Sequence, residues 1–80
     1  MPQEAEAAHE LAMSAITGLM NLIAVIAMER LQRGEPLEAV LSLLVRIDMA
    51  NNETVLSSEG RQILSHRMEL LTEALASSMR

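Results

Sequence analysis

The 18 residues from Leu11 to Met28 carry no charge, and this run restricts the fold more than any other feature of the 80-residue chain. It is rich in Ala, Leu, Met and Ile, and nothing in it alternates with period two, so it reads as helix. Its length is near the lower limit for crossing a bilayer, roughly 17–25 residues. Ser14, Thr17, Gly18 and Asn21 interrupt it, and the chain has no Trp or Tyr to sit at a membrane surface. The residues ahead of it, Met1-Pro2-Gln3-Glu4-Ala5-Glu6, are acidic, whereas a secretory signal begins basic. We therefore expect a helix buried by protein, in a cytoplasmic chain. The alternative is a small membrane subunit with one spanning helix at about 11–28, which Arg30 and Arg33 would orient with its carboxyl-terminal side in the cytoplasm.

The helix containing this run is expected over 3–33. At 100° per residue its polar side chains gather into one narrow stripe of Glu6, Glu10, Ser14, Thr17, Asn21 and Gln32. Nearly all the rest is apolar, well beyond the roughly 100° arc that a surface helix buries. A straight helix of that length reaches about 45 Å at 1.5 Å per residue. A compact 80-residue globule is only about 30 Å across. Either the helix breaks at Thr17-Gly18, or another chain buries what its own domain leaves bare.

Two places punctuate the remainder. Gly34-Glu35-Pro36 joins a helix-ending glycine to a proline suited to a first helical turn. Ala50-Asn51-Asn52-Glu53 supplies turn formers, with Asn52 as candidate N-cap. The expected fold is all-α, one domain over 1–80, with helices at about 3–33, 36–50 and 53–78. A long apolar first helix is packed by an amphipathic hairpin and completed by oligomerisation, since a small chain without staples builds a marginal core.

In the second helix Leu37, Val40, Leu41, Leu43, Leu44, Val45 and Ile47 are expected to face inward, with Glu38, Ser42 and Arg46 outside. In the third, Leu56, Ile63, Leu64, Leu70, Leu71, Ala74 and Leu75 form the inner face. Gln62, Ser65, His66, Glu69, Thr72 and Glu73 form the outer one. Gly60 lies on the inner arc, where it would admit another backbone. Two charges fall on the wrong side, Asp48 and Arg67. They either pair across the helices or between subunits, or act separately, Asp48 capping the Asn51-Asn52 turn and Arg67 extending its head to water.

Composition narrows the chemistry. The chain has no Cys, which excludes disulfides, thiolate metal sites and a cysteine nucleophile. It has no aromatic residue on which a base would stack, and its formal charge of -5 opposes nucleic acid. The second and third helices resemble a helix-turn-helix pair only remotely, because Glu69 and Glu73 lie where a recognition helix presents basic or amide groups. Glu6-Ala7-Ala8-His9 has the Glu-x-x-His spacing of di-iron bundles, and His66-Arg67-Met68-Glu69 the reverse. Both fall on solvated faces, so no metal or other cofactor is expected. No catalytic motif is visible and no enzyme is expected.

Function is therefore expected to lie in contact with protein. The chain reads as a small interaction module, a homo-oligomeric adaptor, regulator or chaperone-like protein that binds another protein. Met13, Met20, Met28, Met49, Met68 and Met79 serve either as adaptable core filler or as a forgiving binding surface. The interface is expected on the first helix at Leu19, Leu22, Ile23, Val25, Ile26 and Leu31, where Ala24 and Ala27 allow close packing about a two-fold axis.

Overall fold

A computed structural model describes residues 2–78, which form α1 (Pro2–Gln32), α2 (Leu37–Thr54) and α3 (Ser58–Ser78). Among the described residues there is no strand. α1 runs unbroken through Thr17-Gly18, which removes the expectation of a break there. It stops at the glycine expected to stop it. Gly34 takes φ +94°, a conformation that costs an L side chain free energy. The Gly34 amide donates to Leu31 O at 3.0 Å and the Glu35 amide to Arg30 O at 3.1 Å. This paired closure satisfies two of the carbonyls that a helix end leaves open. Pro36 then precedes α2 as its N-cap rather than opening the helix as its first residue.

The second boundary differs from expectation. α2 continues through Asn51 and Asn52 to Thr54, and the chain turns at Val55, Leu56 and Ser57. Asparagine weakens a helix interior by only a few tenths of a kcal/mol, so two of them do not end one that is packed along its length. Ser57 caps α3 in place of Asn52, its Oγ accepting from the Gly60 amide at 3.1 Å. Arg61 fastens the turn from inside, its Nη1 donating to Val55 O at 2.8 Å and Leu56 O at 3.1 Å. A Cβ on Gly60 would stand 3.1 Å from Val55 Cγ1, so what that glycine admits is the turn's own side chain.

Ala27, Val40, Leu44, Met68 and Leu75 form the buried core, with Met20, Ile23, Leu31, Leu41, Ile47 and Leu71 packed around it. α3 is rotated by about 90° from the expected face and centres on Met68, which is 3% exposed. Ile63 and Leu70 become exposed, and Leu56, 92% exposed, belongs to the turn and not to the core. Ser65 and Thr72 move inward instead. Burying a hydroxyl is cheap when it is bonded, and both are. Thr72 Oγ1 donates to Met68 O at 2.9 Å, and Ser65 Oγ donates to Asp48 Oδ1 at 2.9 Å. On α2, Val45 is likewise exposed rather than core.

Asp48 thus serves Ser65 from within α2. Among the described residues no ion pair joins it to Arg67, and it does not cap a turn at Asn51-Asn52. The reason is angular: Ser65 and Arg67 lie about 160° apart around α3, so both cannot face Asp48. Arg67 is half-buried.

The chain measures 50 × 22 × 17 Å, with a radius of gyration of 14.5 Å. A compact chain of 80 residues would have about 12 Å. Its accessible surface is 5948 Å², against about 4,800 Å² for a globular monomer of 8.8 kDa. The 31-residue α1 is longer than either helix of the hairpin that braces it and contributes Leu11, Leu19, Leu22, Val25, Ile26 and Met28 to the exposed apolar surface.

Candidate interaction surface

α1 presents two faces with different fates. Met20, Ile23, Ala27 and Leu31 recur at helical spacing and meet the α2–α3 hairpin. Among the described residues of this helix Ala27 alone is fully buried. About 180° away on the helical wheel run Leu11, Ala15, Gly18, Leu22 and Val25, all exposed. Leu11 is 73% exposed and Val25 61%, and a Cβ on Gly18 would have nothing within 4 Å. Leu19 and Ile26 flank the stripe and are also exposed. Single exposed hydrophobes are ordinary; an unbroken row of them on one face is not.

The six residues expected at an interface therefore separate. Leu19, Leu22, Val25 and Ile26 are bare, whereas Ile23 and Leu31 pack against the chain's own core. The methionines separate too. Met68 is core, Met20 supports it and Met13 is half-buried, while Met28 and Met49 are exposed. Met79 lies outside the described residues.

Beside Val25 a shallow depression of about 250 Å³ is lined by Ala24, Val25, Met28, Glu29 and Gln32. The carboxyl end of α1 carries two exposed ion pairs, Glu29 with Arg33 at 3.9 Å and Arg30 with Glu35 at 3.3 Å. Pairs so exposed add at most about 1 kcal/mol and leave their charges open to other partners. The amino end carries Glu4, Glu6 and Glu10, all exposed. α1 is thus acidic at one end, apolar in the middle and of mixed, balanced charge at the other.

A second groove, about 370 Å³, runs between α2 and α3 with Leu44 and Met68 among its lining and Asp48, Glu69 and Glu73 beside them. Ser65 is there, but its hydroxyl proton is committed to Asp48, and His66 is exposed on the next position of α3. Glu6 and His9 are both exposed on α1. Among the described residues no three His, Asp or Glu side chains gather as a metal would require. One described helix, over 3–32, is long and apolar enough to cross a membrane. Compared with protein-family models, with curated proteins and with solved structures, the chain matches none.

Proposed function

We propose that this chain is a small protein–protein interaction module that self-associates through α1 and acts by occupying the surface of another protein in the cytoplasm. One observation carries the reading: the apolar face of α1 that the chain's own hairpin leaves uncovered. The surplus surface, roughly 1,100 Å² over a globular monomer, resembles in size what one partner buries in a standard interface, about 800 Å². Met28 and Met49, exposed and unbranched, suit a surface that re-packs around a partner. The reading assigns the protein no catalysis, no cofactor and no nucleic acid.

The length and apolarity of α1 favour a second reading, a membrane subunit spanning at about 11–28. Its cost lies in the hairpin. Met20, Ile23 and Ala27 fall inside that span and hold α2 and α3, whose outer sides carry Arg46, Glu69 and Glu73. Crossing a bilayer would drag these charges into hydrocarbon or strip the hairpin away, and either costs several kcal/mol. Light scattering on the full chain, purified without detergent at micromolar concentration, tests the first reading. A mass of twice 8.8 kDa or more is expected, and a well-behaved monomer would overturn it. Recovery only in the membrane fraction would establish the second reading instead.

A further inference from the structure

Resting on the self-association reading, we infer that the second copy of this chain lies antiparallel along α1, about a two-fold axis beside Gly18. Three independent features favour this orientation. The first is charge. The amino end of α1 is acidic, with Glu4, Glu6 and Glu10, whereas at the carboxyl end Arg30 and Arg33 are balanced by Glu35 and Glu29 in exposed pairs. Antiparallel pairing sets Glu4 against Arg33 of the other copy, and the helix dipoles oppose. Parallel pairing would bring the two acidic amino ends together.

The second feature is volume. Along the stripe the large Leu22 and Val25 sit on the carboxyl side of Gly18, while on the amino side the nearest member is the small Ala15, with Leu11 a turn further on. Reversal of the partner brings Ala15 opposite Leu22 and Leu11 opposite Ile26, with the bare Gly18 at the crossing where backbones come closest. In a parallel pair Leu22 would meet Leu22 and Ala15 would meet Ala15, leaving a gap beside a ridge. The third feature is support. The core that the hairpin builds takes in α1 from Met20 to Leu31, and of the turns before it only Met13 and Ile16 are half-covered. An antiparallel partner lays its braced half along the unbraced half of its neighbour, and the stripe, opposite the hairpin, is free of obstruction.

The chain has no cysteine, so introduced ones report orientation directly. Leu11→Cys and Ile26→Cys change exposed positions and leave the core intact. Both variants, reduced, are first weighed by light scattering, then oxidised separately and as an equal mixture. Disulfide-linked dimer from the mixture and not from either variant alone is the expected result, and Gly18→Cys is expected to link to itself. Linkage of Leu11→Cys to itself would establish parallel pairing and overturn the inference. Dimeric mass with no linkage in any sample would place the interface on another face and also overturn it. Monomeric mass of the unmodified chain would instead remove the self-association reading beneath it. As an independent check, Glu4→Arg is expected to weaken dimerisation about two- to fivefold, and Arg33→Glu in the same chain to recover it. Failure of that recovery counts against the register.

Discussion

The two halves of α1 differ in composition and in surroundings, the amino half rich in Ala and Glu and the carboxyl half in Leu, Ile, Val and Met. Residues 20–31 alternate between the core and solvent, with Met20, Ile23, Ala27 and Leu31 held by the hairpin. Residues 3–12 are exposed throughout, and only Met13 and Ile16 in the next turn are half-covered. Both halves are nonetheless one helix. Helix nucleation is the costly step and propagation is cheap in Ala- and Leu-rich sequence, so the braced half suffices to template the bare one. The buried core is therefore concentrated at one end of the molecule, and the apolar surface left bare extends toward the other.

That division can be broken most forcefully from the packed side. Leu44→Ala removes a fully buried side chain from the hairpin and is expected to cost about 2–5 kcal/mol in urea unfolding. A loss below about 1 kcal/mol would mean the hairpin is not where the stability lies. Next in size is the joint between the two regions. Gly34→Ala forces an L side chain to φ +94°, with an expected loss of about 1–2 kcal/mol measured the same way. Ser57→Ala removes the cap of α3, and about 1 kcal/mol should follow. A Ser57→Asp variant that keeps full stability would confirm that capping, and not packing, is the cause.

The smallest effect on folding sharpens the comparison from the bare side. Val25→Glu should change monomer stability by less than about 0.5 kcal/mol, because Val25 is exposed and touches no core. It should nevertheless abolish association, giving a helical monomer by circular dichroism and sedimentation. A variant that remains fully oligomeric would show that this face is not the interface. Ile23→Asp, two residues away but turned toward the hairpin, is expected to lose several kcal/mol through a charge set against the core. The contrast between neighbours on one helix is the test.

Much of this was legible in the residues themselves. Three helices, the stop at Gly34 and the excess apolarity of α1 follow from propensity, glycine's tolerance of positive φ and the ratio of helix length to domain size. These are local or purely geometric, so one sequence suffices. The second boundary was not legible, because Asn51-Asn52 and Val55-Leu56-Ser57 are both acceptable turns. What selects the latter is Arg61 reaching back to two carbonyls and Gly60 making room for Val55, contacts that exist only once α3 has folded against the turn.

The rotation of α3 has the same character. Hydropathy ranks Ile63 and Leu70 above Ser65 and Thr72 for burial. The folded chain reverses that order, because one hydroxyl finds Asp48 and the other finds its own helix backbone. Asp48 and Arg67 stood out in the sequence as misplaced charges, yet only the relative angle of α2 and α3 decides that Asp48 serves Ser65 while Arg67 faces elsewhere. The sequence by itself determined that α1 would be a helix too apolar and too long for its own domain, since those properties depend on composition and rise per residue. Which of its faces is left bare was decided by tertiary structure alone. A helix that is apolar nearly all round can offer several sides to a hairpin, and only the packing of Met20, Ile23, Ala27 and Leu31 against Val40, Leu44, Met68 and Leu75 selects one of them.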